Sequence, residues 1–356
     1  MKKIIIISPS KTNRVGGVER FCYLLKDFLE RNDFEVRIIG KEDLKKSLIY
    51  KIFKNIKGLD LIVLGYLLGK FADKLKPDLV ITNGLYGFST KSKSINVQHG
   101  TFVKASERMD KSIFKKIIRK NIWGHFEKLA VNKAQKVVAV SNETKESIKK
   151  YYNRNDAEVI LNAVEINLFS KKDKITSKKL FNLPLDKKLI LFVGRLSYEK
   201  SPEILYELAK RFEQENVYFV FTTDRILNWG LENTFFLLNI ANSKLPYLYS
   251  ACDIFVLPSK HEGCAFTLLE AMACEIPFIF TDVGCAKEIY TQYPQLKNFL
   301  VENLEIECFY NKIREGLKMD EKEKENLLVL GRRFIEQCCS LDVFGEQYLN
   351  LIKKVL

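Results

Sequence analysis

Histidine and long apolar runs are scarce in this 356-residue sequence, and each scarcity removes a class of function. Only three histidines are present, and the eight cysteines (22, 252, 264, 274, 285, 308, 338 and 339) include no C-x-x-C pair. That spacing speaks against a zinc site, and the cysteines read as small buried residues in a reducing compartment. No G-x-G-x-x-G occurs, which argues against an NAD-binding fingerprint. No segment reaches the roughly 18 to 20 apolar residues of a membrane span. The longest candidate, from Leu59 to Gly69, is too short and carries Asp60. Met1-Lys2-Lys3 leads into only four apolar residues, Ile4 to Ile7, which is no signal-peptide core, so a cytoplasmic location is expected.

What is present suits a soluble globular protein of two domains: 47% hydrophobic and 29% charged residues. The net charge of +14 is unevenly placed. Residues 1–170 hold 33 Lys and Arg against 18 Asp and Glu, a balance of +15, whereas residues 171–356 hold 25 against 26. A basic half joined to a neutral half points to an anionic partner for the first half, either nucleic acid or an anionic membrane surface.

The stretch from Asp253 to Glu288 has the most chemistry. Ile254 to Leu257 reads as a buried strand closed by Pro258 and Ser259. A loop with Glu262 and Gly263 follows, then a helix from about Ala265 to Cys274 that Pro277 ends, then a strand from Phe278 to Thr281. Ligands of open α/β sheets bind outside the carboxyl ends of the strands, and a helix start near Ala265 offers amides to a phosphate. Glu270 sits in an otherwise apolar helix, where an unpaired carboxylate would be costly, so a partner such as a pair of sugar hydroxyls is expected.

Other strand ends carry polar groups too. Lys2 to Ser8 is a strand, followed by a polar loop with Lys11, Thr12, Asn13 and Arg14. Gly16-Gly17 then opens an amphipathic helix and lets the backbone approach an anion. Strands are expected from Glu35 to Ile39, Pro77 to Asn83, Ser94 to Gln98 and Lys136 to Val140. The Ser94 strand delivers His99-Gly100-Thr101 to its carboxyl end. Residues 41–76 read as helix with an uncertain strand, and Ser141 as a helix N-cap. The lysine-rich stretch from Ser170 to Lys188 reads as a linker. In the second half, Leu189 to Val193 is a strand followed by Arg195 and Lys200 ahead of a helix. Two cations at a helix start gain nothing from the macrodipole, and an anionic ligand bridging them accounts for the arrangement. Ser112 to Phe126 is a basic amphipathic stretch with Ile113, Phe114, Ile117, Ile118, Ile122 and Phe126 on one face. It fits either a helix at a membrane interface or a surface helix packed on the sheet.

Glu262-Gly263, Glu270-Ala271-Met272-Ala273, Pro277 and Asp282-x-Gly284 together resemble the retaining glycosyltransferases of family 4 (glycosyl transferases group 1). Gly16-Gly17-Val18-Glu19-Arg20, His99-Gly100, Asn162 with its neighbours, and Arg195 with Lys200 are similar to further motifs of that family. The resemblance implies an α/β GT-B architecture of two facing Rossmann-like domains with a cleft between them. The expected parts are an acceptor-side domain over 1–170, a nucleotide-sugar domain over 171–335 and a C-terminal helix over 336–356 crossing back to the first domain. It further implies that Arg195 and Lys200 neutralise the donor diphosphate and Glu270 holds the ribose. Glu262 and His99 then act at the donor sugar, and Gly16, Gly17, Gly263, Cys264, Ala265 and Phe266 line the nucleotide-sugar site. Family glycines are replaced here by Ser201, Glu275 and Cys285, and the loop Gly263-Cys264-Ala265-Phe266 lacks the common second glycine; all but Ser201 put the sugar pocket in question.

The implied reaction is metal-independent and retaining. It moves a hexosyl or N-acetylhexosaminyl group from a nucleoside-diphosphate sugar, UDP-sugar ahead of GDP-sugar, to a hydroxyl of a glycan or lipid-linked acceptor. Cell-surface polysaccharide or glycolipid synthesis is the expected setting. No cofactor or metal is expected: the Asp-x-Asp pair of metal-dependent GT-A enzymes is absent from the sequence. Charge asymmetry favours a peripheral contact of 112–126 with anionic membrane over a plain surface helix, and nucleic acid has charge alone in its support because no recognition module is present. The alternatives are a sugar-nucleotide epimerase of the same architecture and a basic nucleic-acid-binding protein.

Overall fold

The structure, a computed structural model, describes residues 1–11, 16–56, 58–109 and 112–356, with the backbone alone of Phe114. Thr12, Asn13 and Arg14 of the expected polar loop therefore lie outside the described residues, as does the Phe114 side chain. The chain forms two units.

The first unit comprises Met1–Ala163, Glu262–Cys264 and Leu341–Leu356. Its strands are β1 (Lys3–Ile7), β2 (Glu35–Ile39), β3 (Leu79–Asn83), β4 (Ser94–Gln98), β5 (Lys136–Ala139) and β6 (Glu158–Val159). They pair in the order β2-β1-β3-β4-β5-β6, every pair parallel. Parallel strands covered by helices on both faces read as continuous apolar runs, and Ile4 to Ile7 are fully buried. The helix Gly17–Arg31 turns Phe21, Cys22, Leu24, Leu25, Phe28 and Leu29 inward. The last helix, Leu341–Val355, lies against it: a Cβ at Gly345 would stand 2.2 Å from the Phe28 ring, so only glycine permits this approach. Phe344 and Tyr348 meet Phe21 edge-on at 5.7 and 5.6 Å.

The second unit comprises Val164–His261 and Ala265–Ser340. Its strands are β7 (Lys188–Val193), β8 (Val217–Thr223), β9 (Thr234–Leu238), β10 (Ile254–Leu257), β11 (Phe278–Thr281) and β12 (Leu300–Val301). They are again all parallel, in the order β12-β11-β10-β7-β8-β9.

The units divide at Ala163/Val164 and at Ser340/Leu341, not at 170 and 335 as the sequence reading has it. Hydrogen bonds explain the difference. Val164 donates its amide to the Cys339 carbonyl (2.7 Å), and the Arg332 guanidinium donates to the carbonyls of Ile166 (3.2 Å), Phe169 (2.7 Å) and Ala273 (2.7 Å). These bonds fasten residues 164–169 to the second unit. The lysine-rich stretch beyond them contains a helix, Lys174–Leu180, capped by the Asp173 carboxylate. Lys178 is buried there and donates its ammonium to the Leu185 and Lys187 carbonyls.

Two helical expectations also change. Residues 41–76 contain a 3-10 turn, Lys41–Leu44, and the helices Leu48–Phe53 and Leu59–Lys74, with no strand among the described residues. The amphipathic stretch at 112–126 is broken into a short helix, Ile113–Ile117, and a π-helical turn, Ile118–Trp123, before a new helix, Gly124–Lys133. The π turn shifts the helical register, so Gly124, Glu127, Ala130 and Val131 face inward while Ile113, Ile117 and Ile122 stay exposed. No helix among the described residues is long and apolar enough to cross a membrane.

Candidate functional site

In the second unit the strand order reverses between β7 and β10, which are neighbours paired through Ile190 with Ile254 and Leu191 with Phe255. A reversal of this kind opens a crevice at the carboxyl ends of the two strands. The loops that leave it are those the sequence singled out. After β7 come Gly194, Arg195 and the 3-10 turn Tyr198–Lys200; after β10 comes the stretch that leads to the helix Phe266–Ala273. The loops are joined, since Lys260 donates its amide to the Glu199 carbonyl (2.8 Å) and its ammonium to the Tyr198 carbonyl (3.2 Å).

Arg195 is exposed and pairs with no carboxylate among the described residues. The Lys200 side chain passes over Gly194, its Cε 4.0 Å from where a Cβ would be. Ser201 caps the following helix with φ +49°, the left-handed conformation that a glycine adopts without strain. This explains why serine is a departure at that position and confines the difference to the backbone.

Glu270 is fully buried on the Phe266–Ala273 helix, and its Oε2 accepts a hydrogen bond from the Tyr249 hydroxyl (2.7 Å). The same hydroxyl reaches the Thr267 carbonyl at 3.1 Å. Tyr249, from the helix Leu245–Ala251, thus supplies a protein partner that the sequence reading left to a ligand. Ala265 is the N-cap, and the first-turn amides of the Phe266–Ala273 helix point out of its N-terminal end, as at every helix start.

At the other end of this helix Glu275 has φ +53°. Its amide bonds to the Met272 carbonyl (3.2 Å) and that of Ile276 to the Ala271 carbonyl (3.3 Å), the two bonds of a Schellman cap. A glycine is favoured at this position by the cap, at the helix end remote from Ala265. Cys285 is buried with an ordinary φ of −89° and follows Gly284, which takes the left-handed turn itself at +66°.

In the first unit the order reverses between β1 and β3. Asn83, the last residue of β3, bridges that point by donating its Nδ2 to the Ile7 carbonyl (2.8 Å). Its Oδ1 then faces His99 Nε2 at 2.8 Å. Because Asn83 is oriented by Ile7, Oδ1 is an acceptor and the imidazole carries its proton on Nε2, leaving Nδ1 as an acceptor. Burial pushes His99 down to about 4, so the ring is neutral near pH 7. Phe21 meets it edge-on, 4.9 Å away.

Glu262, Gly263 and Cys264 belong to this unit. A Cβ on Gly263 would stand 2.3 Å from the His99 carbonyl oxygen, so position 263 has to be glycine for the two loops to meet. Asn162 fixes the same segment by donating to the Cys264 carbonyl (2.7 Å). The structure therefore brings Glu262 and His99 together on one unit, and Arg195, Lys200, Ala265, Phe266 and Glu270 on the other. Gly16 caps the helix that Gly17 opens, with the Glu19 carboxylate folded back to within 2.7 Å of its Cβ position.

Sequence reasoning did not single out Asn83, Tyr249 or Glu127. Glu127 is buried under the His99 loop, where its carboxylate accepts from the Phe102 amide (2.8 Å) and the Tyr152 hydroxyl. Burial pushes it up to about 7. Asn83 had a signal, a polar residue at a strand end before Gly84. Tyr249 and Glu127 had none that distinguishes them from ordinary helix residues.

Comparison with known proteins matches the chain to two family models. Residues 15–168 match "Glycosyltransferase Family 4" and residues 173–327 match "Glycosyl transferases group 1". A putative teichuronic acid biosynthesis glycosyltransferase of Bacillus subtilis (strain 168) is 30% identical over 204 residues, 56% of this chain and 49% of that protein. The chain thus spans about half the length of that relative. An Escherichia coli UDP-Gal:alpha-D-GlcNAc-diphosphoundecaprenol alpha-1,3-galactosyltransferase is 22% identical over 382 residues, 95% of each chain. Among solved structures, sucrose-phosphate synthase from Thermosynechococcus elongatus superposes with a TM-score of 0.80 over 99% of each chain at 17% identity, a likeness of fold.

Proposed function

The chain belongs to the group 1 and family 4 glycosyltransferases of GT-B fold, and from that premise we propose what it transfers and how. It moves a hexosyl or N-acetylhexosaminyl group, with retention and without a metal, from a nucleoside-diphosphate sugar to a hydroxyl of a glycan or lipid-linked acceptor. A UDP-sugar is favoured over a GDP-sugar, since the Escherichia coli relative is named for a UDP-Gal donor and a diphosphoundecaprenol-linked acceptor. The setting is cell-surface polysaccharide or glycolipid synthesis at the cytoplasmic face of the membrane.

One observation carries this reading. Arg195 and Lys200 leave β7, and the loop to Glu270 leaves β10, at the point where the strand order of the sheet reverses. The difficult part of the reaction is negative charge growing on the departing diphosphate. Arg195, Lys200 and the amides that open the Phe266–Ala273 helix oppose it from positions set before the substrate arrives. Glu270, held by Tyr249, accepts from the ribose hydroxyls. Glu262 orients the donor sugar, and neutral His99 offers Nδ1 to one of its hydroxyls. None of these residues is assigned the role of a nucleophile.

Arg195→Ala and Lys200→Ala are each expected to lower turnover about 10² to 10³-fold, the cost of removing one preorganised charge-stabilising group. Both should melt like the wild type, as neither position is in a core. Near-wild-type rates in both variants would remove the diphosphate assignment.

A further inference from the structure

Most of the exposed large apolar side chains of the first unit lie on two segments that meet. The helix Leu48–Phe53 buries none of its residues, and Leu48 is 72% exposed, with Ile49, Ile52, Ile56 and Leu59 exposed beside it in sequence. In the segment 112–126, Ile113 is 73% exposed, and Ile117 and Ile122 are exposed as well. The two segments touch. Trp123 donates its indole N–H to the Gly58 carbonyl (2.9 Å), and a Cβ on Gly58 would lie 3.9 Å from Ile118 Cγ2. Single exposed apolar residues are ordinary; a joined run of eight is not.

Charge says what covers this edge. The sequence has no Asp or Glu from Leu44 to Leu59 or from Ser112 to Phe126. Lys45, Lys46, Lys51, Lys54, Lys115 and Lys120 are all exposed around the apolar residues. A second copy docked through the same face would set these cations against their own kind, because a twofold contact repeats one patch on both sides. An anionic bilayer answers both features, with acyl chains for the isoleucines and phosphates for the lysines. A hollow of about 540 Å³, lined in part by Tyr66, Lys70, Phe88, Lys91 and Lys133, borders the two helices that leave the Gly58–Trp123 junction. Its lysines, Lys70, Lys91 and Lys133, add to the cations near the apolar residues.

We infer that the Leu48–Leu59 and Ile113–Trp123 segments form one membrane-docking edge that inserts Leu48, Ile49, Ile52, Ile113 and Ile117 into an anionic bilayer. The inference rests on the proposed lipid-linked acceptor for its purpose and on none of that reading for its observations.

The test is co-sedimentation of the full chain with phosphatidylglycerol/phosphatidylethanolamine vesicles, without nucleotide or acceptor. Ile49→Glu/Ile52→Glu and Ile113→Glu/Ile117→Glu should each weaken binding at least about tenfold, the least that withdrawing two isoleucines from the acyl boundary costs. Lys51→Glu/Lys54→Glu should weaken it too, and binding should fall with salt. In a Trp229→Phe background, brominated phospholipid should quench Trp123. Because these side chains are exposed, circular dichroism and UDP calorimetry should match the wild type. Wild-type binding by Ile49→Glu/Ile52→Glu would overturn the joined edge. No vesicle binding, with a dimer that the same substitutions dissolve, would overturn the bilayer in favour of a second copy. Vesicle binding by a chain that binds no nucleotide would count against the transferase reading alone.

Discussion

Replacing Glu127 by glutamine should change how stability depends on pH, in a direction and amount that the structure sets. The residue is 2% exposed, and burial raises its carboxyl from the ordinary 4.5 to about 7. A group whose folded value lies above its unfolded one stabilises the fold fully below the unfolded value. That contribution is lost as pH climbs to the folded value. That interval corresponds to about 3 kcal/mol, lost between pH 4.5 and 7. His99 runs the other way. Burial depresses it from 6.5 to about 4, so its contribution is complete above 6.5 and lost as pH falls to 4, again about 3 kcal/mol. In the wild type the two slopes overlap and largely cancel between pH 4.5 and 6.5. Glu127→Gln keeps the shape of the side chain and an oxygen to accept from the Phe102 amide, and removes one slope. Urea denaturation should find the variant gaining about 3 kcal/mol from pH 4 to 6.5, with the wild type flat to within about 1 kcal/mol. Parallel curves for the two proteins would refute the reasoning.

Two further substitutions have defined outcomes. Glu275→Gly should stabilise the protein by about 1 kcal/mol, because only the left-handed cap at φ +53° separates the two residues there; an unchanged midpoint in urea would deny the strain. It should leave donor-sugar preference unaltered. Tyr249→Phe removes the hydroxyl that donates to buried Glu270, and should cost about 2 kcal/mol of stability, the scale of a hydrogen bond to a charged group. A bound nucleotide whose ribose takes over part of that role should restore some of the loss, so UDP should raise the melting temperature more in Tyr249→Phe than in the wild type.

Much of the fold was legible because parallel strands buried on both faces leave unbroken apolar runs. Glu35–Ile39 and Ser94–Gln98 coincide with their expected bounds, and Lys188–Val193 and Phe278–Thr281 differ by a residue at most. β6 and β12, each two residues long, carry no periodicity, and β9 is an edge strand whose residues are all half-buried or exposed. The break at Ile118–Trp123 was invisible because a π turn is a matter of register that the spacing of isoleucines does not reveal. The placement of the candidate residues Arg195, Lys200 and His99 in the loops after strands was readable from the pattern. The residues that hold them were not. Asn83, Tyr249 and Glu127 act through contacts between elements distant in sequence, and apart from the place of Asn83 at a strand end nothing local marks them. The glycine replacement at Glu275 read as a change in the sugar pocket, and the structure shows that Glu275, like Ser201, is at a left-handed backbone position.

The central claim is a nucleotide site built from the Arg195 and Lys200 loop and Glu270, and calorimetry in chelator against UDP, GDP and ADP tests it most directly. The account predicts micromolar binding of one nucleotide, UDP first, weakened at least about tenfold by Glu270→Ala, the loss of a charged hydrogen-bond acceptor. Binding of none of the three, or equal binding by the wild type and Glu270→Ala, would contradict it.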